Sequence, residues 1–216
     1  MKIFIIGNGK SLTPAQLDQI EGLPSIACNR ISLIYPLTKW RPTIYAHPES
    51  LAPNLPYIQE HVDMGIPCYL GEHFAEPPRG KLTLKDAPNI KWINDHECHL
   101  MSYDDQGLPD EWLLPQLCSF GGSVNLMMQI AVLNGYDELI LLGCDLEYRD
   151  NKPSHFDPKY EYGGEYPAFT RARNAFWGHV QALNWIRRKR KDITVVNATP
   201  GGLLELWPRA SLENVI

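Results

Sequence analysis

The sequence predicts an α/β protein, a parallel sheet with helices on both faces and a lid-like insertion. Uninterrupted apolar runs of strand length recur at KIFII, TIYA, ELILLG and ITVVN, as in strands covered on both sides. Segments of helical spacing alternate with them, the order of a parallel sheet. Glycines and polar residues collect just after the strands, where an open parallel sheet keeps its ligands. The pattern is Rossmann-like, and no shift in composition divides residues 1–216 into a second domain.

Lys2 to Ile6 is the first strand, entering Gly7-Asn8-Gly9. TPAQLDQIEG is a short helix with Thr13 as N-cap, Pro14 at the first helical position and Gly22 past its end. SIACN is the second strand, ending at Asn29-Arg30, and Thr43 to Ala46 is the third. Residues 47–118 are rich in proline and read as an irregular insert, with short strands at CYL and IKWI and short helices near 56–64 and 109–117. From Ser123 to Leu133, Val124, Met127, Met128, Ile130 and Ala131 recur at helical spacing, and Asn134-Gly135 ends the helix. ELILLG follows as a strand, then a loop over 146–168 rich in Tyr, Gly, Pro and charge, read as lid-like. A long helix runs from near Phe169 to Arg190, with Phe176, Trp177 and Trp185 expected in the core. ITVVN is the last strand and NATPGG a turn.

The chain is 44% hydrophobic, enough for one sizeable core. Its formal net charge of −5 lacks the basic footprint of a nucleic-acid partner. The one dense basic run, Arg187 to Lys191, closes the long helix, where cations favour the dipole. Five cysteines without a CxxC pair fit a reducing, cytoplasmic setting, with Cys28, Cys118 and Cys144 in or beside apolar runs as buried free thiols are. Met1-Lys2 leads straight into a strand, so no signal peptide is expected, and no stretch reaches the ~18 apolar residues of a membrane span. A homo-oligomer is left open.

Candidate chemistry lies at the carboxyl ends of the strands. Gly7, Asn8, Gly9 and Ser11 form a turn that lets backbone approach a ligand, with the following helix N-terminus offered to phosphate. It lacks the third glycine and the acidic second-strand end of the dinucleotide fingerprint, and it is not a nucleoside-triphosphatase phosphate loop. Gly121, Gly122 and Ser123 repeat the logic before a second helix. Asp145 and Glu147 place two carboxylates at spacing two, on one face if the strand persists, able to hold Mg²⁺ or a sugar hydroxyl. His155 is the histidine best suited to acid–base work, with Asp157 nearby to orient it. His96, Cys98 and His99 stand at no standard zinc spacing.

Taken together, GNGKSL, CNR, the small-residue turn opening a helix, NGYDELILLGCDL and a loop histidine resemble the sialyltransferase-like superfamily. This group includes bacterial sialyltransferases using CMP-sialic acid and a family named after archaeal 6-hydroxymethylpterin diphosphokinase. Asn29-Arg30-Ile31, His155 to Tyr160 and Asn197 to Gly202 resemble uncharacterised members of the latter found among surface-polysaccharide genes. The resemblance implies a nucleotide-activated donor contacted by Asn8, Asn29 and Ser123, with Asp145 on the nucleoside. The catalytic histidine of the sialyltransferases would fall near Asn174, which is not a histidine, and Glu147 replaces an aromatic partner.

Three functions are therefore expected, the first ahead of the other two, which stand level. The first is a glycosyltransferase, CMP-type donor favoured, acting on a carbohydrate acceptor with His155 as base. The second is a pterin-type diphosphokinase using ATP and Mg²⁺ through Asp145 and Glu147. The third is a non-catalytic nucleotide-binding module.

Overall fold

The computed structural model describes residues 1–47, 54–71, 84, 87–93, 95–96, 117–118, 121–149, 154–160 and 167–216. Strand β1 (Lys2–Ile6) is the centre of the molecule. Ile3, Phe4, Ile5 and Ile6 are all fully buried, which is why their run is apolar without alternation. Around it lie β2 (Ser25–Cys28), β3 (Ile44–His47), β4 (Cys68–Gly71), β5 (Ile90–Ile93), β8 (Glu138–Leu142) and β9 (Thr194–Asn197). They make one seven-stranded sheet in the order β5-β4-β3-β2-β1-β8-β9, and every pairing is parallel. A separate short pair joins β6 (Asp95–His96) to β7 (Leu117–Cys118).

Side chains leave the sheet alternately to its two faces. Ile3 and Ile5 face α3 (Ser123–Leu133) and α4 (Ala168–Lys189). Phe4 and Ile6 face α1 (Pro14–Gln19), a 3₁₀ turn over Ile31–Leu37, α2 (Leu55–Asp63) and the C-terminal Leu212 and Val215. Helix α1 starts where its sequence says. The Thr13 hydroxyl accepts the Gln16 N–H, and the Gln16 side chain accepts the Thr13 N–H at 2.8 Å. Helix α3 is buried from Asn125 to Val132, because it lies between the sheet and α4.

The helix expected near 56–64 and the strands expected at CYL and IKWI are present as α2, β4 and β5, and all three extend the main α/β layer. Residues 109–116 of the helix expected near 109–117 lie outside the described residues, as do Cys98 and His99, and Leu117 is in β7. Trp185 is core, as expected, but Phe176 is 39% exposed. It sits on the outer side of α4, where the helical period carries it away from Ala182, Trp185 and Ile186. Cys28, Cys68 and Cys144 are buried free thiols, and burial pushes the Cys68 thiol up to about 12, so it stays protonated. Among the described residues no helix is long and apolar enough to cross a membrane.

Candidate active site

The chain builds the sheet outward from β1 through β5, then returns to lay β8 and β9 on the other side of β1. The topological switch point is therefore between β1 and β8, and the crevice outside their carboxyl ends is the expected ligand seat. The loops after β1, β8 and β9 meet there around one side chain, Asp145. It is 3% exposed, and its Oδ2 accepts the Ser11 N–H at 3.2 Å.

The glycines explain how the loops come so close. The Gly9 N–H donates to the Gly143 carbonyl at 2.8 Å. A Cβ on Gly9 would stand 2.6 Å from that oxygen and closer still to Asp145 Oδ2. A Cβ on Gly143 would stand 2.7 Å from the Gly7 carbonyl oxygen. From the third loop, Gly202 lies against the Asp145 backbone, and Leu203 N–H donates to the Asp145 carbonyl at 2.7 Å. The Thr199 hydroxyl accepts the Cys144 N–H at 3.0 Å. The opening glycine turn thus holds a carboxylate of its own chain. At the start of the first helix, the Thr13 and Gln16 N–H groups are taken by each other's side chains.

Beside Asp145, two polar atoms of the β1 turn are buried without a hydrogen-bond partner, Asn8 Oδ1 and Ser11 Oγ. Asn8 is 8% exposed, and its amide nitrogen is directed to the Cys28 carbonyl at 3.2 Å, which leaves the oxygen as an unsatisfied acceptor. Asn29 ends β2 at φ +54°, a left-handed conformation that costs energy outside glycine. Its Nδ2 donates to Ser123 Oγ at 3.1 Å, its Oδ1 accepts from His47 Nδ1 at 2.8 Å, and its carbonyl accepts from the Tyr45 hydroxyl at 2.7 Å. Asn29 therefore ties the N-terminus of α3 to the same rim as the glycine turn. Gly122 is open there at φ +81°, with nothing near its missing Cβ.

His155 is brought to this rim by backbone pairing. Residues Gly9 and His155 form an antiparallel bridge, and Phe156 N–H donates to the Asn8 carbonyl at 3.1 Å. The His155 ring stacks on Tyr160 with centroids 4.0 Å apart. Arg30 fixes the segment from beneath. It is 7% exposed, donates to Asn54 Oδ1 at 2.8 Å and to the Lys159 and Tyr160 carbonyls at 3.3 Å, and lies over the Tyr57 ring. Arg30, a ligand candidate by its place after the second strand, is held by these contacts against residues 154–160.

Three further expectations meet a different geometry. Asp157 Oδ1 accepts the Lys159 N–H at 2.7 Å, capping the 3₁₀ turn over Pro158–Tyr160 that follows His155. Gly121 serves packing, since a Cβ on Gly178 of α4 would stand 2.6 Å from the Gly121 Cα. Asp145 and Glu147 are not a pair on one strand face. Strand β8 ends at Leu142, and Leu146 between them turns to φ +55°. Glu147 is bound by Lys10 at 2.7 Å and by Arg149, and Lys10 foremost holds its carboxyl below the usual range. Among the described residues no group of three His, Cys, Asp or Glu stands together. Sequence reasoning missed the pairing of Gly121 with Gly178, although a glycine inside a helix is itself a sign of close approach.

No family model and no curated protein matches the sequence. Solved structures do. The MAf glycosyltransferase from Magnetospirillum magneticum AMB-1 superposes with a TM-score of 0.55 at 16% identity over 98% of this chain. The sialyltransferase CstII from Campylobacter jejuni, in complex with the substrate analogue CMP-3FNeuAc, superposes with a TM-score of 0.52 at 14% identity over 97% of this chain. The chain has the sialyltransferase-like fold. It spans 34% of the length of the MAf protein and 86% of the CstII chain. Within that fold the crevice at β1 and β8 is built here from Asn8, Ser11 and Asp145, with Asn29 and Ser123 on its β2 side.

Proposed function

We propose that the chain is a nucleotide-sugar-dependent glycosyltransferase, with a CMP-type donor and a carbohydrate acceptor. The carrying observation is the buried, partnerless Asn8 Oδ1 and Ser11 Oγ beside Asp145 at the switch point. A buried acceptor without a donor is costly, and a ligand bearing hydroxyl or amino hydrogens relieves it. Ribose hydroxyls and a base amine are such groups. Asp145 and Asn8 then face the nucleoside, and the donor's phosphate lies toward Ser123 and the start of α3, where helix N–H groups favour an anion. The two fold neighbours, both described as glycosyltransferases, support this reading.

In the reaction the acceptor oxygen attacks the donor's anomeric carbon as the bond from that carbon to the phosphate oxygen breaks. The nucleotide leaves with the bonding electrons. His155, held at the rim by Gly9 and backed by Tyr160, takes the acceptor's proton. The α3 terminus stabilises the charge that grows on the leaving phosphate. No observation favours the diphosphokinase, which would place Mg²⁺ on Asp145 and Glu147.

The test is a transfer and hydrolysis assay across CMP-, UDP- and GDP-sugars. Turnover of a CMP-sugar is expected, falling about 100-fold or more in His155→Ala with donor affinity kept. A protein that binds CMP yet turns over no sugar nucleotide is the non-catalytic module instead.

A further inference from the structure

We infer that the outer face of α4 seats the protein on an anionic lipid surface, beside the candidate active site. The helix turns its buried stripe, with Gly178, Ala182, Trp185 and Ile186, to the sheet. On the opposite side Phe169, Arg173, Phe176, Val180 and Arg187 follow at spacings of four, three, four and seven, one line along a helix of 3.6 residues per turn. Phe169 is 74% exposed and Phe176 39%. The Phe176 ring meets Trp177 edge-on at 6.1 Å and leaves part of its face to solvent, and two turns earlier Phe169 is the more exposed of the pair.

Charge selects the occupant. Helix α4 carries Arg171, Arg173, Arg187, Arg188 and Lys189 and no acidic side chain, within a chain whose net charge is −5. Exposed aromatics interleaved with cations are the composition of a helix lying in the plane of an anionic bilayer interface. Two copies of this face would set cations against cations, which disfavours pairing through α4. The helix spans about 33 Å at 1.5 Å per residue, so it lies on the surface and does not cross it. Its first turns adjoin the crevice. Arg171 sits over the Tyr148 ring, three residues beyond Asp145, at 5.2 Å, and Gly178 packs on Gly121. Docking through Phe169 and Phe176 brings that rim to the lipid boundary.

Co-sedimentation tests this with vesicles of phosphatidylcholine alone and of phosphatidylcholine with about 30% phosphatidylglycerol. The protein is expected to sediment only with the anionic vesicles and to be released by high salt. Phe169→Ser/Phe176→Ser should weaken binding about tenfold, and Phe169→Ser alone, at a ring 74% exposed, should weaken it measurably with the melting temperature unchanged. Arg187→Glu/Arg188→Glu/Lys189→Glu is the second variant and should abolish binding at low salt. Absence of binding to anionic vesicles overturns the inference, as does binding that neither variant reduces. So does a dimer in sedimentation velocity that the Phe variants dissociate, or a preference for an oligonucleotide over vesicles. None of these outcomes depends on turnover, so they stand apart from the glycosyltransferase reading.

Discussion

Lowering the pH from 7 to 5 is expected to remove about 2 kcal/mol of folding stability for each of two buried histidines, His61 and His179. His61 is fully buried on the inner face of α2 and stacks on Tyr45. Its Nδ1 donates to the Tyr57 carbonyl at 2.6 Å, so its Nε2 accepts from the Tyr35 hydroxyl, also at 2.6 Å. His179 lies on the other face of the sheet and accepts the Trp207 indole N–H on Nδ1 at 3.2 Å. Both rings are thus held neutral by their partners. Burial, the leading cause, lowers each to about 4. A lowered histidine value means the unfolded chain takes up protons first. The stability is complete above the unfolded value near 6.5, drains away as pH falls below it, and stops draining near 4. Urea unfolding at pH 7 and 5 measures this, with His61→Gln and His179→Gln each expected to flatten the slope. Equal stability at the two pH values, or a slope untouched by either variant, contradicts it.

The second large effect is expected from Gly9→Ala and Asp145→Ala. The new methyl group of Gly9→Ala enters space held by Asp145 Oδ2 and the Gly143 carbonyl, and the second contact is with backbone that cannot swing aside. Overpacking of this kind costs about 1–3 kcal/mol, and here the strain falls on the junction of the β1 and β8 loops. Asp145→Ala leaves the Ser11 N–H without its acceptor and empties the centre of the crevice. Each variant should lose affinity for CMP by at least about tenfold in titration calorimetry, about 1.4 kcal/mol. Gly9→Ala should also melt earlier. Wild-type affinity and melting temperature in Gly9→Ala would mean that the loops do not converge as described.

Much of the sheet is readable from the sequence because its central strands are buried on both faces. Lys2–Ile6 and Glu138–Leu142 need apolar residues throughout, and their runs stand out. The capped start at Thr13-Pro14 is equally local. Strands β4 and β5 are harder. They are short and lie toward one side of the sheet between prolines, and β5 keeps Lys91 exposed and Trp92 half-buried, so no continuous apolar signal marks it. At the site, the gathering of Gly7 to Ser11, Asn29 and Asp145 follows from strand direction, since parallel strands end on one edge, whereas Ser123 joins them through its hydrogen bond from Asn29. What each residue does there depends on contacts distant in sequence. The carboxylate that fills the Gly9 turn comes from beta-strand eight's end, 136 positions on. The left-handed turns at Asn29 and Leu146 have no glycine to announce them. Arg30 looks like an anion ligand until the carbonyls of Lys159 and Tyr160 fold onto it.

The central claim is that a nucleotide sits between the carboxyl ends of β1 and β8, against Asn8, Ser11 and Asp145. A crystal structure of the protein with CMP tests it most directly. The account predicts cytidine within hydrogen-bond distance of Asn8 Oδ1 and Asp145, with its phosphate toward Ser123. CMP held elsewhere on the sheet edge, with Asn8 Oδ1 and Ser11 Oγ still without partners, would contradict it.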